Sequence, residues 1–323
     1  MRNHLKCAAM SCVRMIAALG VLAAAPLPAS AQNWPTRSVT MVQPFAPGNA
    51  GDILGRIFAS RLSELLGQPI IFENVSGAGG ITGSARVAKS APDGYQFLLG
   101  NSSTLAVNQA FYLKPPYKAT DFAPVALIAE TPIILLARKD LPANDLREFT
   151  AYAKANQAKM QYGSGGTGTT VHLACALLNT TIGVEITHVP YRGGAPAMQD
   201  LIAGRIDYQC AAAELAIPQI QANLVKAIAI LTKNRSLVLE DLASAHEQGL
   251  ADFEVAAWSA FVLPKGTPSP IVQRLHDATV ATMNTPGVRE RLIELGEDLV
   301  APERRSTEYL RQFIGTETEK WGR

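Results

Sequence analysis

The chain has 323 residues, with 29 Lys and Arg against 27 Asp and Glu, 48% hydrophobic residues and four cysteines. That length carries two domains, each with its own core. The near-neutral charge, with no basic aromatic strip, excludes the electrostatic footprint of a nucleic-acid binder.

The first 31 residues read as a secretory signal. Arg2, Lys6 and Arg14 form a basic start, Met15 to Ala25 is an apolar run of 11 residues, and Ala29-Ser30-Ala31 is a small-residue cleavage site. The run is too short to span a bilayer, and no later run approaches that length. The mature chain then starts at Gln32, has 292 residues, and carries 26 basic against 27 acidic side chains. Export to the periplasm follows.

Strands and helices alternate from there. Ser38–Gln43 predicts a strand, and Asp52–Leu66 a helix with Ile53, Leu54, Ile57, Phe58, Leu62, Leu65 and Leu66 on one face. Asp52 occupies the expected N-cap and Gly67 the C-cap. Pro69–Val75 is a strand, Gly80–Lys89 a helix, Ala91–Gly94 a turn and Tyr95–Leu99 a strand. Val125–Ala137, with Pro132 inside it, suits a segment crossing between two lobes. A second series follows: helix Asp145–Ala155, strand Met160–Tyr162, helix Gly168–Thr181, strand Glu185–Val189, helix Ala195–Ala203 and strands Ile206–Cys210 and Lys226–Leu231. Val255–Leu263 reads as the return crossing, and helices Gln273–Met283, Pro286–Leu295 and Thr307–Trp321 form the tail. The expected fold is α/β, with a mainly parallel sheet and two lobes joined by two crossing strands. Lobe one takes 32–132 and 232–323, and lobe two takes 133–231.

Glycine- and hydroxyl-rich loops follow the strands: Pro44 to Asp52, Glu73 to Gly83, Gly100 to Thr104, Tyr162 to Thr170 and Val189 to Gly194. Glycines allow close backbone approach, and Ser and Thr add rotatable donors. At the carboxyl ends of strands, such loops hold small anions.

Enzyme motifs are missing. Gly77 to Gly83 has Thr82 where the dinucleotide fingerprint needs glycine, and no acidic residue ends a following strand. Gly163 to Thr170 has no lysine after its glycines, and Gly163-Ser164-Gly165 lacks the first glycine of a nucleophile elbow. No histidine shares metal-type spacing with another histidine or cysteine, so no metal or cofactor is implied. Asp52 is open to three readings: helix cap, loop brace or ligand contact. His172 either faces the cleft or is structural. A secreted hydrolase or isomerase using Asp52 or His172 as base is the alternative from another class. Cys175 and Cys210 either pair or remain buried thiols, since nothing in the sequence sets their separation.

In combination these residues resemble the Bug receptors, the substrate-binding proteins of tripartite tricarboxylate transporters. The resemblance rests on Trp34-Pro35-Thr36-Arg37, Pro44-Phe45 with the glycine turn and Asp52, Gly77-Ala78-Gly79-Gly80, Ala91-Pro92-Asp93-Gly94-Tyr95, Thr187-His188-Val189-Pro190-Tyr191-Arg192-Gly193 and Pro264-Lys265-Gly266-Thr267-Pro268. It implies a type II periplasmic-binding-protein fold closing over a small carboxylate. It also implies a monomer that meets membrane transporter subunits transiently, or a sensory partner, without catalysis. The implied ligand loops hold Phe45, Pro47, Gly48, Asn49 and Asp52, then Ser76, Gly77, Ala78 and Gly79. Asn101 and Ser102 would line the floor. Ser164, Gly165, Thr167, Thr169 and His172 would hold the far end, with Tyr191 and Ala211 beside them. Relatives often carry Asp-Asn where this chain has Ala211 and Ala212. That departure takes a carboxylate and an amide from the expected pocket and favours an aromatic or plain dicarboxylate over an amino acid.

Overall fold

The computed structural model describes residues 34–322, except 237 and 252. The secretory signal therefore lies outside the described residues.

β1 (Val39–Gln43) pairs in parallel with β2 (Ile70–Asn74) on one side and β3 (Gln96–Asn101) on the other. Helix α1 (Ala50–Leu66) carries the chain from β1 to β2, and α2 (Ile81–Ala88) from β2 to β3. Parallel neighbours require such crossovers. α1 begins two residues earlier than the sequence suggests, so Asn49 is its N-cap, its side chain accepting from Asp52 N. Asp52 sits instead in the first turn, where its charge suits the helix dipole. Gly67 closes the helix at φ 71°, as a C-cap glycine does. After β3 come two elements absent from the sequence reading, a π-type turn at Ser103–Val107 and the short helix α3 (Asn108–Phe111).

β4 (Phe122–Arg138) is 17 residues long and buried along almost its whole length. Such a strand has both faces covered, which explains its continuous apolar sequence. Phe122 to Pro132 pairs with β9 (Ala256–Pro264). From Ile133 onward the partners are β7 (Tyr208–Ala212) and β8 (Val225–Ile230). Pro132, with no N–H for a ladder, stands at this change of partner.

Helix α4 (Leu146–Asn156) leads into β5 (Gln161–Ser164), which pairs in parallel with β6 (Thr187–Pro190) and β7. The crossovers are α5 (Thr170–Ile182) and α6 (Gly194–Ile202). α7 (Ala213–Gln221), with Pro218 inside it, was not read from the sequence. After β9 come α8 (Ser269–Asn284), α9 (Pro286–Glu294), the short β10 (Asp298–Leu299) against β4, and α10 (Thr307–Gly322).

The strand order is β2-β1-β3-β9-β4-β7-β5-β6. The sheet is thus mixed rather than mainly parallel. β4 and β9 run in opposite directions because one leaves the first strand series and the other returns to it. The edges of Phe58 and Phe97 meet the Phe261 ring at 5.4 and 5.2 Å between centroids. Phe149 packs on Tyr208 at 5.1 Å in the second series. Each fully buried ring contributes about 1.5–3 kcal/mol. The tail docks through Trp258, whose Nε1 donates to Glu317 at 3.0 Å.

Candidate functional site

The loops at the carboxyl ends of β1, β2, β3, β5, β6 and β7 surround a cleft. Its inner part encloses about 730 Å³ and an adjoining outer part about 530 Å³. Phe45 and Gly165 border both. A space of this size takes a small organic ligand.

Two glycine loops form the outer part. Gly77, Ala78, Gly79 and Gly80 have φ of 143°, 48°, 61° and 90° in succession. Only glycine holds such a run without strain, and Ala78 costs about 1–2 kcal/mol there. Facing it is the loop Gly165 to Thr167. The approach is close: a Cβ on Gly79 would lie 2.7 Å from the Thr167 carbonyl oxygen. Ala46 N also donates to the Arg192 carbonyl at 3.4 Å.

The inner part is bridged by hydroxyls. Ser102 Oγ lies 2.7 Å and Ser103 Oγ 3.1 Å from Thr170 Oγ1, and Thr170 N donates to Ser103 Oγ at 2.8 Å. These bonds join the end of β3 to the start of α5.

Of the residues expected at the site, Phe45, Asn49, Asn101, Ser102, Gly165, Thr169 and Ala211 line the inner cleft. Gly77, Ala78, Gly79, Thr167 and Tyr191 line the outer cleft. Pro47, Gly48, Asp52, Ser76, Ser164 and His172 line neither. Asp52 is a loop brace: it accepts from Arg56 Nε at 3.0 Å, from Arg56 Nη2 at 3.1 Å and from Gly48 N at 3.1 Å. Burial pushes its carboxyl up, but the bonds from Arg56 and Gly48 outweigh that and hold it below the usual range. Ser76 is exposed on the surface.

Ser164 is fully buried. Its hydroxyl lies 2.7 Å from His188 Nε2 and accepts from Gly166 N at 3.1 Å. His172 stacks on His188 at 4.1 Å between centroids, and its Nδ1 accepts from Gly168 N at 3.3 Å. Burial, then the neighbouring His172, pushes His188 down to about 4. This Ser–His pair supports the loop from beneath rather than facing the cleft. Thr169 caps α5, its hydroxyl accepting from His172 N and donating to the Gly166 carbonyl.

Several cleft residues escaped the sequence reading: Gln43, Ser103, Thr131, Gln209, Glu214 and Trp258. Gln43 and Gln209 carried a signal, as polar residues inside otherwise apolar strands. Ala211 and Ala212 do line the cleft, but the carboxylate and amide expected to be missing are supplied alongside by Glu214 and Gln209. Behind Glu214 lies Glu297, which hydrogen-bonds to it and accepts from Thr131 Oγ1 at 2.6 Å. Burial raises both carboxyls above the usual range, and two such groups in contact share a proton. Cys175 and Cys210 are bonded, with Cα atoms 5.6 Å apart. The bridge ties α5 to the cleft strand β7.

No lysine or arginine lines the inner cleft, and Arg192 alone does so in the outer part, among the described residues. No cluster of three His, Cys, Asp or Glu side chains suited to a metal occurs among the described residues. What remains is a set of backbone groups, hydroxyls and amides able to hold an anion by oriented dipoles.

Residues 54–323 match the family described as tripartite tricarboxylate transporter family receptor. The chain belongs to this family. The receptor is similar to the solved structure of MatC (Rpa3494) from Rhodopseudomonas palustris with bound malate, at 38% identity and a TM-score of 0.87, covering 90% of this chain and 99% of that one. It is similar to the periplasmic binding protein BugD at 34% identity and a TM-score of 0.87, covering 90% and 96%. It is also similar to R. palustris Rpa4515 with adipate, at 34% identity and a TM-score of 0.86, covering 89% and 96%. The receptor thus has the α/β periplasmic-binding-protein fold that its sequence resembles. No helix among the described residues is long and apolar enough to cross a membrane.

Proposed function

We propose that this receptor is exported by its first 31 residues and captures a small carboxylate in the cleft without transforming it. The observation that carries this reading is the pair of facing glycine loops, Gly77–Gly80 and Gly165–Thr167, over an inner cleft with no lysine or arginine. Oriented backbone and hydroxyl dipoles neutralise the anion in place of a buried cation. Relatives solved with malate and with adipate support the carboxylate class. Residues 32–132 and 232–323 act as one lobe and 133–231 as the other. They close on the ligand about the point where β4 changes partner. The closed monomer then meets transporter subunits, or a sensory partner, transiently. Asp52 and His172 line neither part of the cleft, so a hydrolase or isomerase that uses either as base has no geometric support.

The test is a thermal-shift screen of ligand-stripped protein against a carboxylate panel. A ligand at 100 times its dissociation constant stabilises by about 2.7 kcal/mol. Recovery of that compound unchanged after long incubation is the expected second result. Its conversion to product would overturn the receptor reading.

A further inference from the structure

Two buried glutamines face the inner cleft with one half of each amide unused. Gln43 ends β1 and is 1% exposed, while Gln209 lies in β7 and is 0% exposed. Both line the cleft, from different strand series. Their orientations are settled by their neighbours. Asn49 donates through Nδ2 to the Ala46 carbonyl and accepts at Oδ1 from Asp52 N. Its Oδ1 is therefore an acceptor, and Gln43 must present Nε2 to it, which it does at 3.2 Å. Gln209 Nε2 donates to the Gly194 carbonyl at 3.3 Å, a group that only accepts. In each case Oε1 is left over, and both Oε1 atoms are buried with no hydrogen-bond partner.

The surrounding wall does not answer these oxygens. Trp258 spends its indole N–H on Glu317. The hydroxyls of Ser102, Ser103 and Thr170 are engaged with one another. Glu214, also on the wall, adds acceptor character. A buried acceptor left unmatched costs far more than a matched one returns. A ligand body that covers these carbonyls must therefore bring donors of its own.

We propose that Gln43 and Gln209 are specificity residues that read a hydrogen-bond donor on the ligand's body. The ligand class is a carboxylate bearing a hydroxyl or an ammonium, in preference to the same skeleton without one. This rests on the carboxylate reading above and narrows it. It also changes the expectation drawn from Ala211 and Ala212. The two methyls sit among acceptors, so they do not make the cleft a wholly apolar slot.

The experiment is calorimetry on ligand-stripped receptor at neutral pH with matched series: succinate, malate and aspartate on one skeleton, benzoate and 4-hydroxybenzoate on another. Within any skeleton that binds, the donor-bearing member binds at least about tenfold tighter. Malate against aspartate tells hydroxyl from ammonium. Gln43→Met and Gln209→Met keep the side-chain length and remove the acceptor, and each lowers that ratio toward one. Equal or tighter binding of succinate or benzoate by the wild type overturns the inference and leaves the carboxylate reading standing. So does an unchanged ratio in both folded variants. If no member of either series binds, the carboxylate reading and the inference fall together. Because the wild-type ratio is decisive by itself, a variant that fails to fold does not protect the idea.

Discussion

Reducing the Cys175–Cys210 bridge removes a cross-link and nothing else, so its effect can be worked from the chain. The bond closes a loop with a sequence separation of 35. In the chain-entropy account, cutting such a loop restores about 13 cal/mol/K to the unfolded ensemble, or about 3.8 kcal/mol at 25 °C. Both cysteines are fully buried in the core, so the sulfur packing survives reduction and the cavity cost of an alanine variant is avoided. For a chain of this size the loss corresponds to roughly 6 °C in Tm. The assay is urea denaturation of oxidised and reduced protein, read by tryptophan fluorescence, with the linear slope compared between the two. Mass spectrometry of the unreduced, denatured and alkylated mature chain supplies the control, and the expected result is no alkylated cysteine. A reduced protein within about 1 kcal/mol of the oxidised one would refute the entropic reasoning, since the predicted loss is several times that. Two alkylated cysteines in unreduced protein would refute the bond itself.

Three other outcomes follow from the structure. Glu297 is a carboxyl whose folded pKa burial raises, so the stability it contributes is present at low pH and lost as pH rises through the raised value. Glu297→Gln should therefore match the wild type near pH 4 and exceed it at pH 8 in urea melts, and the opposite trend would sink the argument. His188 has the reverse sign. Burial and His172 push it down to about 4, below its ordinary value of about 6.5. The wild type should keep full stability above that ordinary value and lose it as pH falls toward 4, a loss that His188→Gln should reduce in the same melts. Gly79→Ala places a methyl 2.7 Å from the Thr167 carbonyl at a φ of 61°. A cost of about 1–2 kcal/mol from φ alone, and weaker ligand binding by calorimetry, are expected; wild-type affinity would show that the two loops do not close on the ligand.

Much of the molecule is written locally. The alternation of apolar strands with one-faced helices set the element order, because a hydrophobic period declares itself within a dozen residues. Gly67 and the turn Ala91–Gly94 could be read for the same reason, since a cap or turn involves only its neighbours. The glycine loops were visible too: Gly77, Gly79 and Gly80 are needed for the positive φ they adopt, and that need is a property of the residue. The family follows from these motifs in combination.

What stayed hidden depends on segments far apart in the chain. The antiparallel pairing of β4 with β9 joins Phe122 to Pro264, and no local pattern states which crossing segments will meet. Asp52 looked like a cap or a contact until the fold set Arg56 and Gly48 against its carboxylate. The Cys175–Cys210 bond needed the approach of α5 to β7. The orphaned oxygens of Gln43 and Gln209 exist only because Asn49 and the Gly194 carbonyl claim the nitrogens. Sequence by itself determined which segments are strands, helices and glycine loops, and so the class of receptor. Tertiary structure decided which polar atoms are spent inside the protein and which are left for a ligand, because that depends on partners that folding alone brings within about 3 Å.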